Sequence, residues 1–138
     1  MATILVAVDG SKYARKVAEV AGRWAHAAGD DVVLLHVRVD RVSTRGDLGT
    51  DEAASQAAAI ADEFAAVVRD QEVNRVTTRT DVAPNGEAAQ AILDVAEEVK
   101  AEMIVLGHRG TSSLRGLLVG STAHKVLHLA DRPVLVVR

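Results

Sequence analysis

The sequence predicts a single α/β domain spanning residues 1–138, an open five-stranded parallel sheet with helices on both faces. Short apolar runs rich in β-branched residues alternate along the chain with longer segments of helical periodicity. Most of these runs are continuously apolar, which is typical of strands covered on both faces. Strict alternation of strand and helix favours one sheet built with right-handed crossovers. With 138 residues, 49% of them hydrophobic, the chain suffices for one core.

Five segments are predicted as strands. Four are continuous apolar runs, and the fifth alternates between polar and apolar residues and is predicted as an edge strand. In chain order the predicted strands are Ile4–Val8, Val32–Leu35, the alternating Val76–Val82, Met103–Leu106 and Val134–Val137.

Four helices are predicted between the strands from apolar residues recurring every three or four positions. Ser11 is a plausible N-cap of the first helix, and Gly29 a plausible stop after it. We expect Trp24 and Leu127 to face the core. The polar stretch 38–49 lacks a period and is interpreted as a loop. The predicted helices are Ser11–Ala28, Asp51–Arg69, Gly86–Lys100 and Ser121–Ala130.

Composition excludes several classes of function. Sixteen basic and nineteen acidic side chains leave a net charge of −3, which argues against a general nucleic-acid binder. The absence of cysteine excludes disulfides and thiolate metal sites and is consistent with a cytoplasmic protein. No apolar run approaches the length of a membrane span, and no signal peptide is visible.

The loop after the fourth strand carries the most informative motif. It reads Gly107-x2-Gly110, then nine residues, then Gly120-Ser121 at the start of a predicted helix. Exposed N–H groups at a helix N-terminus favour an anion, and Arg109 in this loop adds positive charge, as does Arg115 further along it. The alternative is that these glycines only form a turn and a cap. The spacing is not that of a Walker A motif.

This spacing resembles the nucleotide-binding signature of the universal stress protein family. The first strand with its turn, Ile4–Ser11, is similar to that family as well, and so are the residues Leu34–Val37 and the final stretch Arg132–Val137. The resemblance implies a sheet order of 3-2-1-4-5. The first and fourth strands are then neighbours, and a ligand is expected where their connections diverge.

The resemblance also implies the ligand and its contacts: ATP, or ADP or AMP in its place, with Mg²⁺ accompanying the phosphates. Ala7 and Ala123 depart from residues found in some ATP-binding members, and backbone contacts survive both changes. By position, Asp9 would contact the adenosine, the Val37 backbone the adenine edge, and Leu106 and Gly107 the ribose. The phosphates would be held by Gly110, Gly120, Ser121, Thr122 and Ala123.

Four histidines are candidate site residues, and each has a structural alternative. His36 ends a buried strand, where a packed, hydrogen-bonded residue is favoured over a catalytic base. His108 lies in the glycine loop, either near a phosphate or simply exposed. His124 and His128 share a helical face, but a metal site there is disfavoured, and no catalytic residue is predicted.

The function expected from these residues is that of an ATP-binding regulatory protein whose hydrolysis is slow or absent. The resemblance implies a homodimer formed through the bare apolar strand Val134–Val137. The main alternative keeps the fold but not the nucleotide, leaving a protein interaction module. A nucleotidyl transferase and a phosphoacceptor receiver domain both lack their required motifs.

Overall fold

A computed structural model describes residues 1–39, 51–109 and 119–138, with backbone alone for 51–53. Gly110, Arg115 and most of the predicted loop 38–49 lie outside these residues. No helix among them is long and apolar enough to cross a membrane. The elements are β1 Thr3–Val8, α1 Ala14–Ala28, β2 Asp31–Arg38, α2 Asp51–Arg69, β3 Val76–Val82, a 3-10 turn Pro84–Gly86, α3 Ala88–Glu98, β4 Met103–Gly107, α4 Ser121–Leu129 and β5 Val134–Val137.

The five strands form one parallel sheet in the order β3-β2-β1-β4-β5, which confirms the predicted fold class. β1 lies at the centre, between β2 and β4. β3 is an edge strand as predicted, and its side chains are mostly exposed. The central position of β1 places the turns after β1 and β4 side by side at the carboxyl edge of the sheet.

A hydrophobic core lies on each face of the sheet. Successive β1 residues alternate between the two, as strand geometry requires: Val6 joins the core under α1 and α2, whereas Leu5 joins the core under α3 and α4. Both side chains are fully buried. The sheet is therefore covered on both faces, as its continuous apolar runs predicted.

Helix boundaries depart from prediction where local hydrogen bonds compete with the helix. α1 begins at Ala14 rather than Ser11, because Ser11 belongs to a turn before the helix. The Ser11 hydroxyl accepts a hydrogen bond from the Tyr13 N–H at 3.3 Å in that turn. α1 ends at Ala28, and Gly29 stops it as predicted, in the left-handed conformation with φ 72°. α3 ends at Glu98, and Lys100 takes the corresponding left-handed position with φ 53°.

The prediction that Trp24 and Leu127 face the core is wrong. Trp24 is 55% exposed and Leu127 is 46% exposed. The buried face of α1 is instead formed of small residues, which let the helix approach closely. Gly22 marks that approach, since a Cβ there would lie 2.6 Å from the Cγ of Gln71, just after α2. Trp24 lies outside this buried face. The buried residues of α1 are Ala14, Val17, Ala18, Ala21, Gly22 and Ala25.

Arg132 connects the end of α3 to the start of β5. Its Nη1 donates to the carbonyl oxygens of Ala96 and Ala101, both at 2.8 Å. Its other guanidinium nitrogens donate to Glu97 at 2.6 Å and to Asp131 at 2.9 Å. The hydrogen bond from Arg132 lowers the pKa of the Asp131 carboxyl, and the two carboxylates raise the pKa of Arg132. The guanidinium therefore gives a second donor to the Ala96 carbonyl in the last turn of α3 and also binds the Ala101 carbonyl beyond it.

Candidate functional site

A cleft of about 470 Å³ opens at the carboxyl edge of the sheet. It is lined by the ends of β1, β2 and β4, the start of α1, and the N-terminus of α4. This is the position where open parallel sheets bind ligands, because the connections after β1 and β4 leave in different directions.

Asp9 follows β1 directly and is half-buried at the cleft. Its Oδ1 accepts a hydrogen bond from the Ser11 N–H at 2.9 Å, which closes a tight turn after the strand. Oδ2 has no hydrogen bond to the residues that the structure describes. One carboxylate oxygen therefore holds the turn, and the other remains able to accept a bond from a ligand.

The N-terminus of α4 presents unpaired donors to the same cleft. Gly120 is its N-cap, with φ −66° and ψ 166°, and no side chain caps the helix. The first helical bond runs from the His124 N–H to the Gly120 oxygen at 2.9 Å. The N–H groups of Ser121, Thr122 and Ala123 consequently have no partner within the helix. Three donors and the positive end of the helix dipole make this end of the cleft suited to an anion.

The Gly107 position is sterically restricted. A Cβ added there would lie 3.1 Å from the Arg109 oxygen and 3.3 Å from Cγ2 of Val17. The backbone of Arg109 folds back over this residue. A Cβ at this position would require its neighbours to shift by a few tenths of an ångström, so the turn after β4 favours a glycine even before any ligand is considered.

Two histidines extend the sheet's hydrogen bonding at the cleft. Nδ1 of His36 lies 2.9 Å from the Val8 oxygen, and Nδ1 of His108 lies 3.2 Å from the Val137 oxygen. His36 is buried and hydrogen-bonded, as predicted. The His108 ring also meets the Tyr13 ring edge-on, with centroids 5.6 Å apart. Both rings are thus held in place at strand ends.

The structure brings nearly all of the predicted site residues to this cleft. Gly110 lies outside the described residues, so its role at the phosphates stays a prediction. Tyr13 also lines the cleft, and the sequence motifs did not identify it as a site residue. Its place two residues after the Asp9-Gly10-Ser11 turn was the available signal. The predicted residues that line the cleft are Asp9, Val37, Leu106, Gly107, Gly120, Ser121, Thr122 and Ala123.

The other histidine pair, on α4, forms no recognisable metal site. The rings of His124 and His128 stack with centroids 6.4 Å apart and planes 7° from parallel. In the described parts of the chain, no three His, Cys, Asp or Glu side chains are grouped as metal ligands. We assign no metal to this face of α4.

The sequence profile of the universal stress protein family matches residues 1–138. The chain belongs to this family. A universal stress protein from Thermus aquaticus is 33% identical over 136 residues, covering 99% of this chain and 98% of that protein. Universal stress protein YxiE of Bacillus subtilis is 30% identical over 144 residues, covering 98% and 97%.

Solved structures agree with the fold. The universal stress protein of Archaeoglobus fulgidus in complex with dAMP superimposes with a TM-score of 0.78 at 25% identity, covering 100% of this chain and 98% of that one. Some members of the family therefore bind adenine nucleotides, and the family resemblance in the sequence is confirmed.

Proposed function

We propose that this universal stress protein is a cytoplasmic, ATP-binding regulatory protein whose hydrolysis is slow or absent. The observation that carries the proposal is the convergence of two separate motifs on one cleft. Asp9 after β1 and the uncapped start of α4 lie more than a hundred residues apart in sequence and line the same cavity. A cavity of about 470 Å³ is within the range of small-ligand sites.

The cleft has two chemically different ends. At the α4 end, the N–H groups of Ser121, Thr122 and Ala123 are the donors proposed to hold phosphates, and Gly110 is assigned to the same group. At the β2 end, the Val37 backbone lies in the last residues of that strand and is proposed to meet the adenine edge. Leu106 and Gly107, with Asp9, are placed between them, beside the ribose.

Mg²⁺ fits this proposal through the phosphates rather than through a protein cage. It keeps several waters and is commonly bound by phosphate oxygens with one or two carboxylates. Asp9 is a described cleft carboxylate with an oxygen that is not engaged in its turn. ADP or AMP would use the same base and ribose contacts, as the relative bound to dAMP suggests.

We also propose a homodimer formed through β5. β5 pairs only with β4 among the strands that the structure describes. Three of its four side chains remain partly exposed. An apolar edge of this kind is normally covered, and a second copy of the same strand can pair with it.

Native mass spectrometry of the purified protein tests ligand and subunit count together. We expect a dimer that carries one ATP or ADP mass per subunit. A monomer would contradict the β5 interface. A protein that stays empty in millimolar Mg-ATP would contradict the nucleotide proposal and favour the alternative function, a protein interaction module.

A matched pair of variants then locates the site. Gly120→Asp places a carboxylate among the proposed phosphate donors, and Gly120→Asn has the same shape without the charge. Both residues are good N-caps, and the φ of −66° suits them, so the fold should be retained. We expect calorimetry to show that Asp weakens ATP binding at least about tenfold more than Asn does. Equal affinities would refute the phosphate assignment.

A further inference from the structure

Near the carboxyl end of β2, the His36 side chain forms one directed hydrogen bond to the described residues. It stands opposite Val8 in the parallel pairing of β1 and β2, and its Nδ1 lies 2.9 Å from the Val8 oxygen. The residue is only 8% exposed. Because the ring is both buried and tied to the backbone of the central strand, its orientation is fixed before any ligand arrives.

The partner of Nδ1 fixes the tautomer. A backbone carbonyl can only accept a hydrogen bond, so Nδ1 must carry the proton. In the neutral imidazole the other nitrogen, Nε2, then carries a lone pair and acts as an acceptor. The β1 backbone therefore determines what His36 offers on its far side.

His36 lines the cleft, and its Nε2 has no hydrogen-bond partner among residues 1–39, 51–109 and 119–138. His36 is not sealed in the interior, because it retains 8% exposure and lines the cavity. A buried side chain that presents an unsatisfied acceptor to a cavity is completed by a donor on the ligand.

The position of His36 indicates which part of a nucleotide supplies that donor. α4, with its anion-favouring N-terminus, follows β4, whereas His36 lies near the carboxyl end of β2, on the opposite side of β1. A nucleotide whose phosphates lie at α4 therefore directs its base toward β2. Apolar residues, among them Val37 and Val39, line the cleft at that end.

From this arrangement we infer that Nε2 of His36 accepts a hydrogen bond from the exocyclic amino group of adenine. The inference rests on the proposed nucleotide site and adds to it a residue that selects the base. The amino group has two hydrogens, so it can serve both His36 and the Val37 backbone. Hypoxanthine, the base of ITP, carries a carbonyl oxygen at the same position. That oxygen and Nε2 of His36 would both be acceptors, so no hydrogen bond would form between them.

Two substitutions separate this role from a structural one. In His36→Asn, the amide nitrogen occupies about the position of Nδ1 and can keep the bond to Val8, but nothing replaces Nε2. In His36→Gln, the longer side chain can bring an amide oxygen to about the position of Nε2. The first removes the acceptor while keeping the backbone tie, and the second restores an acceptor.

The experiment is calorimetric titration of wild type and both variants with ATP, ITP and dATP, with circular dichroism to verify folding. We expect His36→Asn to lower the ATP-over-ITP affinity ratio about three- to tenfold, chiefly through weaker ATP binding. His36→Gln should recover part of that ratio. The ATP-over-dATP ratio should stay unchanged in all three proteins.

The possible failures differ in meaning. If wild type binds ATP but His36→Asn leaves the ATP-over-ITP ratio unchanged, the role of His36 is refuted and the nucleotide site stands. If only the ATP-over-dATP ratio changes, the imidazole serves the ribose, and the assignment to the base is wrong. If wild type binds none of the three nucleotides, the proposed function fails, and this inference fails with it.

Discussion

Replacing Lys100 by glycine should stabilise the protein, because α1 and α3 end in the same motif with different residues. In α1, the Gly29 N–H donates to the His26 oxygen at 3.2 Å, and the next N–H reaches back to Ala25 at 2.9 Å. In α3, the Lys100 N–H donates to the Glu97 oxygen at 3.2 Å, and the following N–H again reaches back at 2.9 Å. Both are Schellman endings, in which the left-handed residue is usually glycine.

The magnitude follows from two opposing terms. A left-handed conformation costs a residue with a Cβ roughly 1–2 kcal/mol. Glycine relieves that cost but makes the unfolded chain more flexible, which offsets about 0.4–1 kcal/mol. Lys100 is exposed and has no ion pair with the described residues. The net expectation is a gain of about 0.5–1 kcal/mol, or roughly 2–4 °C in Tm.

Urea unfolding at 25 °C measures this gain as a shift in midpoint at constant slope. Lys100→Ala is the matched control, since it removes the side chain but keeps the Cβ, and we expect little change. Gly29→Ala is the reciprocal variant. No atom lies within 4 Å of its new Cβ, so its loss of about 1 kcal/mol is due to the backbone alone. Equal shifts for Lys100→Gly and Lys100→Ala would refute the reasoning.

Two further substitutions test contacts described above. Arg132→Met should lower the free energy of unfolding by about 1–3 kcal/mol, because the Ala101 carbonyl loses its Arg132 donor and the Ala96 carbonyl keeps only the Ala101 N–H. An unchanged urea midpoint would show that water replaces the guanidinium. Gly107→Ala should cost about 1–3 kcal/mol and weaken ATP binding, because its Cβ would lie 3.1 Å from a backbone oxygen. Gly10→Ala is its control in thermal unfolding, since the nearest atom to that Cβ is 3.8 Å away.

The fold could be predicted because its signals are local. Continuous β-branched runs identify strands that are buried on both faces, and the alternating run Val76–Val82 identifies an edge. The bounds of α2, Asp51–Arg69, agree with its periodicity. Trp24 could not be placed, because its exposure depends on how closely Gly22 lets two helices approach. Periodicity identifies a helical stripe but does not determine how much of it a neighbouring helix covers.

The candidate site was predictable only as a set of positions after strands. Asp9 and Gly120 could be brought together because a parallel sheet places all its carboxyl ends at one edge. The imidazole orientations could not be predicted. The tie between His36 and Val8 depends on the register of β1 against β2, and the contact between His108 and Tyr13 depends on where α1 begins. Such details require the assembled tertiary structure.

The central place of β1 determines the order in which the sheet can be completed. Ile4 pairs with Val32 on one side and with Met103 on the other. During synthesis, β1, β2 and β3 are available to one another long before β4 emerges. Until then the half-built sheet carries an unpaired apolar edge along its most buried strand, which is open to pairing with other chains. Closing that edge requires a contact across most of the sequence, and contacts of this kind slow folding.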